Sequence, residues 1–393
     1  MRILHIESGL NSGGEEYRIS DEVQWLNAAG HQAWIACNPD SELFQTGPAH
    51  GTYVLPLKMV STFAPSSTWK LFRLVRELNC DLVHTHSPID AWISVPLRLF
   101  GIPIVRSRHI TNPVGRSFFR TFCYRYGCDH LLPTARVIHD ALLENNRIPP
   151  ERMTVIGEGV NIKRFHPGVD GGNFRLLWGA TPKDVLFGCV GMLRPEKGQD
   201  IFIKAAAIVR RCSPSARFVI VGDNPKHGSS MREKYLKIVQ EEFGYDGWRP
   251  GNPIVLSRKT PLILHGHAEE VAEATAALDV AVIPSLREAQ SRTTPEAICL
   301  GKPVITSCAG GLPEVVNAGK VGLLVPPGNV EALAGAMTRL VEDGALRSRL
   351  AREAATRGRE RFSLNCRMQE TLQVYRKVLE KRVRCQSTRK RAG

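Results

Sequence analysis

Short apolar runs alternate with helical patterns along this chain of 393 residues. The runs at residues 2–7, 32–37, 185–190 and 280–283 have the length and composition of buried β-strands. Between them, apolar residues recur with the period of an α-helix. Strands that alternate with helices in this way favour parallel sheets with helices on both faces. The sequence therefore predicts an α/β protein.

The alternation of strands and helices starts once in each half of the chain, and a glycine-containing turn follows the first strand of each half. Residues 8–14 follow the first strand, and residues 191–198 follow the strand at 185–190. Because the chain is too long for one ordinary core, we expect two Rossmann-like, doubly wound domains that face a central cleft. We place them at residues 1–168 and 169–365, with a polar linker at 165–172. Residues 366–393 are expected to form a helix that packs on the first domain, and then a basic tail.

Two carboxylates, Glu288 and Glu296, lie on either side of a predicted helix start. Glu288 follows the strand at 280–283, and Glu296 lies in the first turn of a short helix that Gly301 ends. Ligands bind at the carboxyl ends of strands in open α/β sheets, and carboxylates are strong acceptors for sugar hydroxyls. The spacing suits a site for a sugar, a phosphate and a second sugar. The other interpretation is that Glu288 is a solvated surface residue and that Glu296 only interacts with the helix dipole.

The first glycine loop contains Gly13 and Gly14 before a helix. Glycines there let backbone N–H groups approach an anion. The spacing differs from Gly-x-Gly-x-x-Gly, and Asn38 stands where a dinucleotide-binding strand ends in an acidic residue. The loop is therefore either a binding loop or a turn that merely needs glycines.

Three histidines, His84, His86 and His109, fall at or just beyond predicted strand ends. For His84 and His86 a structural hydrogen-bonding role is the simpler hypothesis. His109 precedes a polar, basic loop and is the stronger candidate for function. Further short strands are predicted at residues 131–134 and 155–160, and a loop rich in Gly, Pro and Trp after residue 243.

The net charge of +14 is concentrated at the C-terminus, where residues 376–393 hold eight basic residues and one acid. Such a run is either a solvated end or a segment attracted to an anionic membrane. No recognition motif supports binding to nucleic acid. No apolar stretch is long enough to cross a membrane, and no signal peptide is evident. The ten scattered cysteines form no Cys-x-x-Cys pair, which favours reduced thiols, no zinc site and a cytoplasmic protein.

Taken together, these motifs resemble the retaining glycosyltransferases of family 4, also called glycosyl transferases group 1, which have the GT-B fold. The features that carry the resemblance occur in the family's order: Gly13-Gly14-Glu15, His109 after a strand, Gly159-Val160-Asn161, residues 191–198, Val221-Gly222-Asp223, and Glu288 to Glu296 followed by Gly301-Lys302-Pro303.

The resemblance implies a nucleotide-diphosphate sugar as co-substrate, with a UDP-sugar favoured, and no metal or other cofactor. Arg194 and Lys197 would bind the diphosphate and neutralise the leaving group. Glu296 would accept hydrogen bonds from the ribose, and Glu288 from the donor sugar. The remaining implied donor contacts are Gly13, Gly14, Ser291, Arg292 and Thr293, and His109 would contact the donor sugar.

The implied mechanism is a front-face substitution in which the acceptor hydroxyl enters on the side that the diphosphate leaves. The acceptor is expected to be a glycan or lipid-linked molecule of lipopolysaccharide or other envelope synthesis, with peripheral contact at the inner face of the membrane. One departure from the family is that its common Glu-Gly-Phe-Gly is replaced by Glu288-Ala289-Gln290-Ser291. This change puts the identity of the donor in question.

Three alternatives remain. A sugar-nucleotide epimerase on the same fold would need acid and base residues in the cleft, where the sequence offers histidines. A nicotinamide-dependent dehydrogenase is opposed by the missing dinucleotide fingerprint. A non-catalytic nucleotide-sugar-binding protein is opposed by the presence of both Glu288 and Glu296.

Overall fold

The structure is a computed structural model that describes residues 1–11, 13–115, 117–225, 230–244, 261–316 and 319–391. For His50, Arg120 and residues 383–391 it describes the backbone alone. The chain divides into two compact units, residues 1–159 with 364–393, and residues 160–363. The loop predicted after residue 243 lies outside the described residues.

The first unit contains one six-stranded parallel sheet in the order β3-β2-β1-β4-β5-β6. Its strands are β1 Arg2–Glu7, β2 Gln32–Cys37, β3 Val54–Pro56, β4 Leu82–Thr85, β5 Ile104–Arg108 and β6 His130–Pro133. Its first helices are α1 Gly14–Ala28, α2 Glu42–Thr46, α3 Pro65–Glu77, α4 Pro88–Ser94, α5 Phe118–Arg125 and α6 Arg136–Asn146, with 3₁₀ turns at Gly47–His50, Val95–Phe100 and Pro150–Arg152.

The second unit contains another six-stranded parallel sheet, in the order β12-β11-β10-β7-β8-β9. Its strands are β7 Val185–Val190, β8 Ala216–Val221, β9 Leu262–Gly266, β10 Val280–Ile283, β11 Val304–Ser307 and β12 Gly322–Val325. Its helices are α7 Gly172–Leu177, α8 Gln199–Cys212, α9 Arg232–Phe243, α10 Val271–Ala276, α11 Thr293–Cys299, α12 Leu312–Val316, α13 Val330–Glu342 and α14 Gly344–Phe362, with a 3₁₀ turn at Pro195–Lys197.

The last helix, α15 Leu364–Arg391, belongs to the first unit. Met368, Leu372 and Tyr375 are buried in the same core as Ile3 and Val105. The helix therefore covers the sheet of the first unit even though it follows the second unit in sequence.

The boundary between the units differs from the one expected at residue 168. It lies at Gly159, because Val160 and Phe165 are already buried in a core of the second unit. The polar residues 165–172 are thus part of the second unit, and α7 begins within them.

The strand expected at residues 155–160 is absent, and that prediction was wrong. The segment runs beside β6, where the N–H of Thr154 donates to the carbonyl of Leu131 and that of Ile156 to Pro133. Ile156 is buried in the core of the first unit and Val160 in that of the second. Its apolar residues are those of a connection that contributes to two cores, which periodicity alone does not distinguish from a strand.

Each sheet has one topological switch point, where the strand order reverses. In the first unit the reversal lies between β1 and β4, and in the second between β7 and β10. Doubly wound sheets bind ligands in the crevice at the carboxyl ends of these two strands. The fold therefore directs attention to the residues that follow β1 and β4, and to those that follow β7 and β10.

No helix among the described residues combines the length with the apolar character that crossing a bilayer requires.

Candidate active site

At the switch point of the second unit, the loop after β7 meets the loop after β10. Lys197 lies in the first loop and Glu288 in the second, and the Lys197 Nζ is 2.5 Å from the Glu288 Oε2. Ser285 Oγ also donates to Glu288 Oε2, at 3.3 Å. About a third of the Lys197 side chain is exposed and about a tenth of that of Glu288. The predicted phosphate-binding cation and sugar-binding carboxylate thus form one ion pair.

Gly198 makes this close approach of the two loops possible. It has a left-handed φ of +70°, and a Cβ at this position would overlap the carbonyl oxygen of Pro284. The N–H of Leu286 also donates to the carbonyl of Glu196, at 2.8 Å. Because only glycine fits both the conformation and the space, it holds Lys197 against the end of β10.

Arg194 stands in the same loop as Lys197 but outside the ion pair. Its Nη1 is 3.9 Å from Glu196 Oε1, and its Nε lies 3.1 Å from the sulfur of Met192. Its side chain is about two-fifths exposed. The structure therefore places two cations after β7, one paired with Glu288 and one near solvent.

Glu296 is almost fully buried in the first turn of α11. Its Oε1 accepts a hydrogen bond of 2.8 Å from Arg292 Nε, so these two predicted donor-binding residues contact each other. Ser291 and Thr293 are also in contact, with 3.1 Å between their hydroxyl oxygens. The predicted donor residues of the second unit thus fall into neighbouring pairs along one loop and helix start.

Ser291 adopts an unusual backbone conformation for a residue with a side chain. Its φ is +59°, in the left-handed region that favours glycine. This is the last position of the segment in which Glu288-Ala289-Gln290-Ser291 replaces the usual Glu-Gly-Phe-Gly. A residue with a side chain thus adopts a conformation that glycine adopts more readily.

At the switch point of the first unit, the carboxyl group of Glu7, the last residue of β1, lies near that of Glu15 in the first turn of α1. Glu7 Oε1 accepts hydrogen bonds from the N–H of Gly9 at 2.6 Å and from Ser87 Oγ at 2.7 Å. Ser87 Oγ is also 3.5 Å from Glu15 Oε1. Burial and the negative charge of Glu7 raise the pKa of Glu15 well above its usual range. Burial also raises the pKa of Glu7, so the pair tends to hold a proton, mainly on Glu15.

His109 ends a hydrogen-bonded chain of imidazoles that begins inside the sheet. His5 Nδ1 is 3.0 Å from His86 Nε2, and His86 Nδ1 is 3.1 Å from His109 Nε2. His109 Nε2 also lies 4.0 Å from Glu15 Oε1. A neutral imidazole has one donor and one acceptor nitrogen, so the tautomer of each ring depends on that of the next. The tautomers of His86 and His109 are therefore coupled.

Burial keeps these imidazoles uncharged. It lowers the pKa of His5 to about 3, and it lowers the pKa of His86 and His109 well below the usual value. The positive charge of buried Arg18 lowers the pKa of His86 and His109 further. At neutral pH the edge of the first unit thus presents a neutral imidazole next to a carboxyl pair, an arrangement suited to hydroxyl groups.

Four side chains, two of which belong to this chain of imidazoles, have the composition of a metal site. The candidate ligand atoms of His5, Glu22, His84 and His86 all lie within 4.8 Å of one another. However, His84 bonds to Tyr375 and Ser107 through its two nitrogens, at 2.7 and 2.9 Å, and both nitrogens of His86 are bonded to other histidines. A metal would have to break several of these bonds, so the geometry fits a hydrogen-bond network better.

Gly13 and Gly14 lie at the start of α1. Gly13 is the N-cap residue, and its N–H donates to Glu16 Oε2 at 2.7 Å. This bond ties the turn to the helix. Gly13, Gly14 and His109 belong to the first unit and the other predicted site residues to the second. The contacts of these three with a donor stay a prediction.

Sequence reasoning did not single out Glu7, His5 or Ser285. Ser285 contacts Glu288, His5 contacts His86, and Glu7 contacts Gly9 and Ser87. It assigned His86 a structural hydrogen-bonding role, and the structure adds that its partner is His109. Glu7 carried a usable signal, since it is a carboxylate at the end of the first strand. No comparable signal existed for His5, which lies within a strand.

Two family descriptions match the chain, one in each half. Glycosyltransferase Family 4 matches residues 12–164, and Glycosyl transferases group 1 matches residues 184–343. The second match contains both strands of its switch point, β7 and β10, and the first contains β4 but begins after β1.

Curated relatives include D-inositol 3-phosphate glycosyltransferases of several bacteria. That of Nocardioides sp. strain JS614 is 29% identical over 322 residues, covering 76% of this chain and 67% of the relative. That of Corynebacterium glutamicum strain R is 26% identical over 368 residues, covering 88% and 80%.

Solved structures share the fold. A glycosyltransferase from Rickettsia africae has a TM-score of 0.82 at 20% identity, covering 96% of this chain and 98% of that one. Anabaena Alr3699/HepE in complex with UDP has a TM-score of 0.78 at 21% identity, covering 95% and 99%. Both are GT-B proteins in architecture, with two doubly wound units as found here.

Proposed function

The chain belongs to the family 4 glycosyltransferases, with the GT-B fold, and on that premise we propose that it moves a sugar from a nucleotide diphosphate to an acceptor hydroxyl with retention of configuration. The observation that carries the proposal is the pair of Lys197 and Glu288 at the switch point of the second unit. It joins a cation suited to phosphate with a carboxylate suited to sugar hydroxyls.

The donor is proposed to be a UDP-sugar. Lys197 and Arg194 would hold the diphosphate, Glu296 the ribose and Glu288 the sugar, while Ser291, Arg292 and Thr293 border the distal phosphate. The structurally similar Anabaena protein was solved with UDP, which supports this choice of nucleotide. When the diphosphate enters, Lys197 exchanges the carboxylate of Glu288 for phosphate oxygens and leaves Glu288 available to the sugar.

The proposed reaction needs no protein nucleophile and no metal. As the bond between the anomeric carbon and the phosphate oxygen breaks, negative charge grows on the diphosphate, and Arg194 and Lys197 stabilise it. The acceptor hydroxyl attacks from the same face and gives its proton to the departing phosphate oxygen. His109 would contact the donor sugar as a neutral hydrogen-bonding group.

The acceptor is proposed to be an uncharged hydroxyl of a glycan or lipid-linked molecule, as in lipopolysaccharide or other envelope synthesis. The relatives are named for a phosphorylated acceptor, D-inositol 3-phosphate. In this chain the carboxyl groups of Glu7 and Glu15 lie at the switch point of the first unit. Their oxygens accept hydrogen bonds that a hydroxyl group donates and that an ionised phosphate cannot. We place the reaction in the cytoplasm, at the inner face of the membrane.

A thermal-shift screen tests the donor proposal first. UDP-, GDP- and ADP-sugars are each added with and without a chelator, because a ligand that binds the folded state alone raises its melting temperature. We expect the UDP-sugars to give the largest shift, unchanged by the chelator. A shift that disappears with the chelator would contradict metal independence, and a larger shift with GDP- or ADP-sugars would contradict UDP.

The active donor is then incubated with candidate acceptors, and the anomeric configuration of the product is read by proton NMR. Retention of the donor's configuration is expected, and inversion would overturn the mechanism. Inositol 3-phosphate is included as an acceptor. Faster transfer to it than to uncharged glycans would contradict the acceptor proposal.

A further inference from the structure

One surface of the first unit carries an unusual concentration of aromatic side chains, which we call the aromatic face. The elements that carry it are α3 with the loop before it, α4 with the 3₁₀ turn Val95–Phe100, and α5 with the residue after it. Its members are Phe63, Trp69, Phe72, Trp92, Phe100, Phe118, Phe119, Phe122 and Tyr126.

Ring contacts join these residues across different elements. Phe72 of α3 packs on Trp69 and on Phe100, with ring centroids 5.8 and 4.6 Å apart. Trp92 of α4 packs on Phe63 and on Phe122 of α5, at 5.9 and 6.3 Å. Helices α3 and α4 are themselves joined, since Thr68 Oγ1 donates to the carbonyl of Ile93 at 3.1 Å. The ring contacts therefore form two groups, one of Trp69, Phe72 and Phe100 and one of the other six rings, on helices that contact each other.

Much of this aromatic area lies open to solvent. Six of its members are exposed to between 54% and 77% of their surface: Phe63, Trp69, Phe100, Phe118, Phe119 and Tyr126. Leu99, beside Phe100, is 87% exposed. Among the described residues, the second unit has no Phe, Tyr or Trp of comparable exposure. Contiguous exposed apolar surface of this kind marks an interaction site.

Positive charge predominates around the aromatic face. Residues 43–76 and 91–128, which contain all nine of its members, include no Asp or Glu. Lys58, Lys70, Arg73, Arg76 and Arg125 lie exposed within these segments. The nearest acid along α3 is Glu77, which pairs with Arg73 at the surface. Exposed rings interleaved with exposed cations, of which only Arg73 pairs with an acid in the part of the chain that the structure describes, complement an apolar surface that is edged with negative charge.

We propose that the aromatic face docks the first unit on an anionic lipid bilayer. Trp, Tyr and Phe side chains are favoured at the boundary between headgroups and acyl chains, and Lys and Arg are attracted to anionic headgroups. The rings insert to the depth of that boundary while the cations stay among the headgroups. This binding does not depend on the proposed transfer reaction, because the aromatic face contains none of the proposed donor residues.

Co-sedimentation of the full chain with vesicles tests the proposal. The vesicles are made of phosphatidylcholine alone or of an equimolar mixture with phosphatidylglycerol. We expect binding to the mixed vesicles, and a loss of about tenfold or more in affinity for Trp69→Ser/Phe119→Ser and for Lys70→Gln/Arg73→Gln. Tyr53→Ser and Leu176→Ser, which change exposed apolar residues elsewhere, are the matched controls and should bind like the wild type. Unchanged binding of the two double variants would overturn the proposal.

A second measurement follows Trp69 itself. Mixed vesicles with brominated acyl chains should quench the fluorescence of Trp69. The quenching should therefore be smaller in Trp69→Phe, which keeps an aromatic ring at this position but lacks the indole. Equal quenching of both proteins would contradict insertion. The proposal would be rejected if the wild type bound neither kind of vesicle but formed a dimer that the double change Trp69→Ser/Phe119→Ser dissociates. The aromatic face would then be a surface for self-association. UDP affinity is measured on the same variants and should be unchanged, which separates this outcome from the proposed function.

Discussion

The ammonium nitrogen of Lys197 lies 2.5 Å from Oε2 of Glu288, although 91 residues separate the two in sequence. The contact exists because β7 and β10 are neighbours at the switch point of the second sheet and because Gly198 permits their loops to approach. It suggests that the carboxylate holds the cation in place until a diphosphate replaces it. The first prediction follows from this competition.

Glu288→Gln removes the negative charge that Lys197 now faces. We expect UDP to bind as tightly as to the wild type or more tightly, while transfer falls by about tenfold or more because the contact with the donor sugar is weakened. Calorimetry and initial rates measure the two quantities. Glu331→Gln, a change at an exposed position in the same unit, is the control. A loss of UDP affinity equal to the loss of rate would show that Glu288 acts in nucleotide binding instead.

Ser291 occupies a backbone conformation with φ of +59°. A side chain there costs about 1 kcal/mol relative to glycine. Ser291→Gly should therefore keep or raise the free energy of unfolding, whereas Ser291→Val should lower it by more than about 1 kcal/mol. Chemical denaturation compares the three proteins. A valine variant as stable as the wild type would contradict strain at this position.

The buried imidazole of His5 predicts a specific dependence of stability on pH. Its pKa is lowered to about 3 in the folded protein, whereas an unfolded histidine titrates near 6.5. Below about pH 6.5 the unfolded chain therefore binds a proton that the folded chain does not, and stability falls as the pH decreases. Between pH 7 and pH 5 the wild type should lose about 2 kcal/mol more than His5→Gln.

The difference between these two proteins isolates His5, because Glu15, Asp90 and the other titrating groups are common to both. Burial raises the pKa of Glu15 and Asp90, so their own contribution has the opposite sign and increases stability on acidification. Urea denaturation at both pH values supplies the numbers. Parallel losses in the wild type and His5→Gln would contradict a neutral, buried His5.

His86 is predicted to act as a positioning residue for His109. His86→Leu removes the partner of His109 Nε2, so transfer should slow by about tenfold or more with little change in UDP affinity. His86→Gln, which can still hydrogen-bond, should recover part of the rate. In the background of His109→Ala, the change His86→Leu should have no further effect on transfer. An additional loss there would show that His86 acts independently of His109.

The basic C-terminus is predicted to add to membrane binding. Replacing Arg384, Arg389, Lys390 and Arg391 by Gln should weaken binding to anionic vesicles by up to about 1 kcal/mol for each charge removed, and less at high salt. When these changes are combined with Trp69→Ser/Phe119→Ser, the two losses in vesicle-binding free energy should add. Unchanged vesicle binding at low salt would assign the basic run to a solvated end.

Much of the fold could be predicted because parallel sheets leave a strong local signal. Strand β10 and strand β7 were predicted with the bounds that the structure shows, since buried strands are continuous apolar runs between turns. The segment at 155–160 has the same composition and is not a strand. What distinguishes it is its position beside β6, between two cores, and this is not encoded locally.

The candidate site was predictable in residue type and not in contacts. Glu288 was recognisable from strand and helix signals, and Lys197 only from the family resemblance. Their ion pair depends on strand order, which places β10 beside β7. The chain of His5, His86 and His109 likewise depends on the pairing of β1 with β4 and of β4 with β5. Such neighbours are set by the packing of the whole sheet.

The central claim is that the switch point of the second unit binds the diphosphate of the donor, and calorimetric titration of UDP into Lys197→Ala tests it most directly. Lys204→Ala, which removes an exposed cation from the following helix, is titrated in parallel. We expect the affinity for UDP to fall by about tenfold or more in Lys197→Ala and to stay at the wild-type value in Lys204→Ala. Wild-type affinity in Lys197→Ala would contradict the account.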